Sequence, residues 1–221
     1  LGCAAGFDVV EATGVRRGDF VVPHAPWQTL ANENLHVVKA WDNRVGCALA
    51  VDLLQELRGV DHPNTVFGVA TVQEEVGLRG AATSAEKVKP DVAFALDVGI
   101  ARDTPGFSGN ERNDEKLGGG PGLLLLDRTL IGHPKLARFV QGVAEDEEIP
   151  YHTTTLTGGG TDAGRFHISG QGIPSLAICV PSRYIHSHSS VLDRRDYEAT
   201  LKLLVAVVRR LDADRVAEIM S

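Results

Sequence analysis

Two adjacent carboxylates, Glu74 and Glu75, interrupt the stretch TVFGVATVQEEVGLRGA at residues 65–81. Ahead of them, Val66, Phe67, Val69 and Val72 form an apolar series of β-branched and aromatic residues that predicts a buried strand over Thr65–Gln73. Behind them, Gly77 and Gly80 lead into an Ala-rich segment. Ligands of open α/β sheets bind beyond the carboxyl ends of strands. Two acids there are costly to desolvate unless paired, hydrogen-bonded or held by a cation. Residues of the same chemical kind recur at the predicted ends of other elements. Asp42 stands in KAWDNRVG ahead of a helix, Asp97 ends the apolar run Val92–Leu96, and His186 follows the run Ser175–Val180 in PSRYIHS. Hard carboxylates with a neutral imidazole suit Zn²⁺, Co²⁺ or Mn²⁺. Two such ions sharing a bridging carboxylate polarise a carbonyl and acidify a water. A carboxylate left unligated can then take the water's proton and return it to a leaving amine.

Each residue also has a plainer reading. Asp42 suits a helix N-cap, the two glutamates a solvated helix start, and Asp97 a turn cap. His186 with His188 suits an exposed polar loop, and Asp162 in GGGTDAG suits the cap of a tight turn. Together, the plainer readings require every acid to reach the end of an element by coincidence.

The elements that must position these residues alternate. Arg44–Leu57 has apolar residues at helical spacing, followed by the strand Thr65–Gln73, a helix near Ala81–Lys87 and the strand Val92–Leu96. A Gly-rich, charged loop covers roughly 104–120, and Leu123–Leu126 reads as a strand. His133–Glu148 reads as a helix with Pro134 in its first turn. Tyr151–Leu156 and Ser175–Val180 read as strands, and Asp193–Leu211 as a closing amphipathic helix. This order predicts an α/β fold of helices layered on a mostly parallel central sheet. Residues 1–38 differ: short strand-like pieces such as Asp19–Val22 alternate with Pro, Gly and polar turns, as in a small β-rich module. The expected division is therefore 1–38 and 39–221.

The chain has 221 residues, 43% of them hydrophobic, enough for a full core. A net charge of −7 argues against nucleic acid or an anionic membrane as partner. No apolar run approaches the roughly 20 residues of a membrane span. Cys3, Cys47 and Cys179 form no spaced motif and read as buried thiols of a reducing, cytoplasmic compartment. Leu1 is not a start methionine and LGCAAG carries no basic leader pattern, so the chain is expected to begin inside a structure.

In order, KAWDNRVG, TVQEEVGLRGA, the pair LDVG and DTPG, LGGGPG, GGGTDAG and IPS…PSRYIHS resemble the tetrahedral aminopeptidases. This family of co-catalytic metallo-exopeptidases includes glutamyl, leucyl and deblocking aminopeptidases, and some members carry the name endoglucanase. The resemblance implies a zinc-exopeptidase-like fold, with EATGVRRGDFVV as the end of an inserted small β-barrel domain. It implies two divalent ions, Zn²⁺ or Co²⁺ and less readily Mn²⁺, with Asp42 as bridging ligand. Asp97 would complete one metal site, Glu75 and His186 the other, and Glu74 would be the general base. It further implies a peptide substrate cleaved at its N-terminal residue and a twelve-subunit tetrahedral homo-oligomer. Asn43 stands where the family usually has a second aspartate. The family's first ligand is a histidine on an early strand, and none of the eight histidines here has that context. Residues ahead of Leu1, including a strand with that histidine, are therefore expected. Two other readings are a pseudo-enzyme serving assembly and an amidohydrolase acting on acylated amino acids.

Overall fold

The computed structural model describes residues 13–16, 18–106 and 115–221. Their element order is β1 (Gln28–Thr29), β2 (Leu35–Val38), α1 (Trp41–Glu56), α2 (Arg79–Val88), β3 (Ala93–Ile100), β4 (Gly122–Leu126) and α3 (Pro134–Asp146). There follow β5 (His152–Thr155), α4 (Ala163–Phe166), β6 (Ser175–Arg183), β7 (Ser190–Asp193), α5 (Arg194–Arg210) and α6 (Ala213–Met220).

The longest strand, β6, is the axis of the sheet. β3 runs parallel to it from Ala93↔Ser175 to Ile100↔Ser182. On the other side β4 pairs antiparallel with its first half, at 177–179, and β7 pairs antiparallel with its end, at Ser182 and Arg183. β4 carries β5 in parallel, and β7 carries β2 and then β1, both antiparallel. The sheet is thus mostly antiparallel, not mostly parallel as the alternation of elements suggested. Among the described residues, only β4–α3–β5 is a crossover between consecutive strands that become parallel neighbours. A tight turn at 184–189 instead folds β6 back on β7, and β6 is inserted, reversed, beside β4.

The alternation of side chains along β6 divides the core. Leu176, Ile178 and Val180 join Leu49 and Leu53 of α1, Leu136 and Val140 of α3, and Leu203 and Val207 of α5 in the main cluster. Ala177 and Cys179 face a smaller cluster with Ala95, Leu124, Leu130 and Ala163. The helices expected at 44–57, 133–148 and 193–211 are all present within a few residues, capped at the last two by the side chains of His133 and Asp193. β7 and α6 had no readable expectation, being four residues long and a second helix straight after α5.

Four expectations need correction. The stretch 65–73 forms no strand. It lies across α1, where a side chain at Gly68 would come within 2.8 Å of Leu54 Cδ1, and no strand among the described residues pairs with it. Val66 packs on the core, whereas Phe67 and Val72 are 62% and 68% exposed. β3 continues three residues beyond Asp97, which therefore sits inside the strand opposite Cys179, because β6 supplies pairing partners as far as Ser182. Asp19–Val22 forms no strand, and Phe20, Val21 and Val22 are exposed. Cys179 is buried as expected, but Cys47 is exposed, lying on α1 away from the buried row Val45, Leu49 and Leu53; Cys3 lies outside the described residues. β2 joins the sheet through β7, paired from Leu35↔Asp193 to Val38↔Ser190, and carries β1 at its outer side. The loop expected at 104–120 is described only in part. No helix among the described residues is long and apolar enough to cross a membrane.

One buried acid belongs to the fold rather than to the acids near Glu74. Glu115 is 2% exposed, lies against Gly99 of β3 and Gly122 of β4, and its Oε1 has no hydrogen-bond partner. Burial pushes its carboxyl from 4.5 up to about 8, against the opposing effects of the Thr154 hydroxyl and Arg102. The folded chain therefore keeps a proton that the unfolded chain releases, and stability falls as pH rises from about 4.5 towards 8. Glu115→Gln is neutral at every pH and should flatten this slope. Urea denaturation at pH 5 and pH 8 is expected to show the variant gaining on the parent by about 1–3 kcal/mol between the two. Parallel curves would mean that Glu115 is ionised in the fold.

Candidate metal centre

The ligand candidates come from different elements: the start of a helix, a strand, and two turns. Asp42 lies at the start of α1, where Asp42 and Asn43 depart from helical backbone angles, with ψ of 109° and 55°. Asn43 fixes this departure. Its Nδ2 donates to Leu96 O of β3 at 2.8 Å, and its Oδ1 accepts from Gly46 N at 2.9 Å. The approach is close enough that a Cβ at Gly46 would fall 2.4 Å from Leu96 O, so α1 meets β3 here only through glycine. His186 comes from the turn after β6, where Tyr184 and His186 both have positive φ and Ser187 Oγ bonds to Tyr184 O and Ser189 O. Glu74 and Glu75 occupy a tight turn ahead of α2, closed by Gly77 N and Leu78 N donating to Glu74 O and by Arg79 N donating to Gln73 O.

The fold brings three of the five residues into one group. His186 Nε2 lies 2.9 Å from Asp42 Oδ2 and 3.5 Å from Glu75 Oε2. Ligand atoms of Asp42, Glu75 and His186 all lie within 4.8 Å of one another. The Asp42 side chain is only 16% exposed, whereas those of Glu75 and His186 are 59% and 66% exposed, so the group opens to solvent on one side. Two carboxylate oxygens and an imidazole nitrogen converging at this separation are a fitting donor set for a divalent transition ion. Asp97 is not in this group. It is 8% exposed, its Oδ1 accepts from Val98 N at 2.8 Å, and it shares the field of Asp42 and Glu74.

The electrostatics register this crowding of acids. Burial, then the charge of Glu75, raises the pKa of Asp42, and His186 opposes. Burial raises Asp97 well above the usual carboxylate range, with Asp42, Glu74 and Asp162 adding to it. Burial, then Asp162, Glu75 and Asp42, pushes Glu74 up to about 7. Negative charge gathered in this way, with His186 opposing it at Asp42 and Glu74, favours a bound cation.

Two plainer readings fail on this geometry. Asp42 makes no cap bond to α1, which begins after Ala40 in a left-handed conformation. Asp162 precedes α4 but caps nothing; its Oδ2 accepts instead from Thr71 Oγ1 at 2.5 Å. The sequence reading missed the contributions of Asn43 and Thr71. Asn43 was legible only as a variant position inside a motif, and nothing in the sequence links Thr71 to Asp162.

The sequence matches the profile of the M42 glutamyl aminopeptidase family over residues 4–203. The chain belongs to the M42 family. It is 37% identical to the glutamyl aminopeptidase of Lactococcus lactis subsp. cremoris over 208 residues, which are 94% of this chain and 57% of that enzyme. The TET aminopeptidase of the marine sediment archaeon Thaumarchaeota archaeon SCGC AB-539-E09 superposes with a TM-score of 0.91 at 42% identity. That match covers 96% of this chain and 59% of the archaeal one. The TET1 peptidase of Pyrococcus horikoshii, which can assemble into a tetrahedron or a large octahedral shell, superposes with a TM-score of 0.75 at 31% identity. It covers 85% of this chain, which in turn spans 53% of it. The chain therefore spans little more than half the length of the relatives it matches. M42 peptidases are metalloenzymes, and the donor set of Asp42, Glu75 and His186 agrees with that.

Co²⁺ binding, read from its visible absorption, tests the group directly. Asp42→Asn, Glu75→Gln and His186→Ala should each weaken binding by about tenfold or more, since each removes one of few ligands. Unchanged affinity in all three would leave the group an ordinary hydrogen-bonded cluster.

Proposed function

We propose that this protein acts as a metal-dependent aminopeptidase that hydrolyses the N-terminal residue of peptides at a two-metal centre, with Glu74 as general base. The observation that carries the reading is the convergence of Asp42, Glu75 and His186 beside Glu74 in a chain of the M42 family. Asp42, the best shielded of the three, would bridge two ions, Zn²⁺ or Co²⁺ or else Mn²⁺. Glu75 and His186 would hold one ion, and Asp97 would serve the other with a ligand from outside the described residues. Such ions supply Lewis acidity towards the scissile carbonyl and towards water.

Glu74 is next to a ligand and half-buried among acids, which pushes its carboxyl up to about 7, so that near neutral pH both the ionised form that takes a proton and the protonated form that returns one are populated. It would accept the proton of the attacking water and deliver it to the leaving amine. Residues 39–221 would form the catalytic part, with 1–38 as the end of an inserted β-rich module. The shell formed by the Pyrococcus horikoshii relative supports a closed homo-oligomer that admits peptides and unfolded chains. A cytoplasmic setting goes with this role.

Turnover of aminoacyl anilides by the full-length natural polypeptide, loaded with Zn²⁺ or Co²⁺, tests the reading. Glu74→Gln is expected to lower kcat by about 10²–10⁴-fold while metal content stays at the parental level. Near-normal turnover in the variant would move the base elsewhere. No turnover in the parent would favour the assembly-subunit reading, for which Asp97's place outside the ligand group speaks. Cleavage restricted to N-acylated substrates would identify an amidohydrolase instead.

A further inference from the structure

The residues around the metal centre are not held alike. Asp97 is inside a paired strand, His186 follows one, and Asp42 is tied to β3 through Asn43. The Glu74–Glu75 turn follows a stretch with no strand partner among the described residues, and its internal hydrogen bonds close the turn without fixing it to the sheet. Besides the His186–Glu75 contact at the metal-binding group, two hydrogen bonds among the described residues make that connection, and both reach the GGGTDAG loop and the short helix after it. Thr71 Oγ1 donates to Asp162 Oδ2, and Arg165 Nη2 donates to Gly77 O at 3.3 Å.

That loop is itself anchored. Asp127, at the end of β4 and 5% exposed, accepts at Oδ2 from Thr161 N and Thr161 Oγ1, at 3.1 and 3.0 Å. Its Oδ1 accepts from Thr129 N, Thr129 Oγ1 and Leu130 N. Arg128 N donates to Gly159 O, and Gly164 fits so closely that a Cβ there would lie 2.0 Å from Thr129 Oγ1. The remaining oxygen of Asp162, Oδ1, is buried with no hydrogen-bond partner. A carboxylate is an expensive group to bury in this way when only one of its oxygens is used, and an amide or hydroxyl could accept the same bond.

We propose that the Thr71–Asp162 hydrogen bond is the device that positions Glu74, with Asp162 as a positioning residue that carries the rigidity of the β4 end to the catalytic turn. The chain of contacts runs from Asp127 to Thr161, to Asp162, to Thr71 and so to Glu74 three residues on. Neither Thr71 nor Asp162 touches the metal-binding group or the reacting atoms in this role. Loss of the bond lets the turn shift, so proton transfer slows while substrate and ions still bind. A displacement of about 1 Å at a catalytic group costs on the order of 10²-fold in rate.

This inference rests on Glu74 being the base, and the experiment separates the two. In the full-length natural polypeptide loaded with Zn²⁺, Thr71→Val should lower kcat by about 10- to 100-fold, with KM within twofold and metal content unchanged. Thr71→Ser, which keeps the hydroxyl, should restore most of the rate. Asp162→Ala should cost about as much as Thr71→Val, and the double variant no more than either alone. The proposal is overturned if Thr71→Val keeps kcat within twofold while Glu74→Gln is inactive. It is equally overturned if the serine variant fails like the valine one, if kcat loss merely follows metal loss, or if the two single losses multiply in the double variant. Normal turnover in Glu74→Gln would instead sink the assignment of the base.

Discussion

Mutual repulsion among carboxylates is the constraint under which this structure is built. Asp42, Glu74, Glu75, Asp97 and Asp162 act on one another, and the pKa values of four of them are raised, with burial the largest cause in each case. Two like charges about 4 Å apart cost on the order of 4 kcal/mol at the effective dielectric of a protein surface. A stability margin of about 5–15 kcal/mol cannot carry several such terms. The acids must therefore hold protons, hold a cation, or be clamped by scaffold that is stable without them.

The scaffold supplies that clamp by separating the sources of the charges. β3 is paired with β6 along its full length, and the main core lies under β6, so Asp97 and the turn carrying His186 start from the paired centre of the sheet. α1 is brought against β3 at a glycine, where a methyl group would meet a backbone oxygen. Such contacts act at short range on backbone atoms, and they do not depend on the acids they position. The arrangement can persist whether or not an ion is present to relieve the repulsion.

Much of this was legible in the sequence, and the failures share a cause. Helices at 44–57, 133–148 and 193–211 follow from apolar residues at helical spacing, a local signal that needs no partner. Strand direction is a property of pairs, and neither the reversed insertion of β6 beside β4 nor its fold-back onto β7 leaves a mark in the composition of β6. The run Val66–Val72 has the right residues for a strand but no neighbour to pair with among the described ones, so its sequence signal remains without the ladder. Asp42, Glu75 and His186 were legible because metal-ligating types gathered at the expected ends of elements. Asp97 was legible as to type, but its place inside β3 depends on how far β6 extends. Thr71, by contrast, is an ordinary residue of a β-like run, and its partner is 91 positions away.

Asn43 shows how the charge balance and the scaffold meet at one side chain. Its amide both donates to Leu96 O and accepts from Gly46 N. An ionised aspartate could do only the second and would set a carboxylate against a carbonyl oxygen. It would also add a further acid to Asp42, Glu74, Glu75, Asp97 and Asp162. An aspartate here would therefore need a proton or another cation to make the same contact with β3. Asparagine makes that contact at every pH, so the junction of α1 with β3 is independent of how the acids beside it are charged.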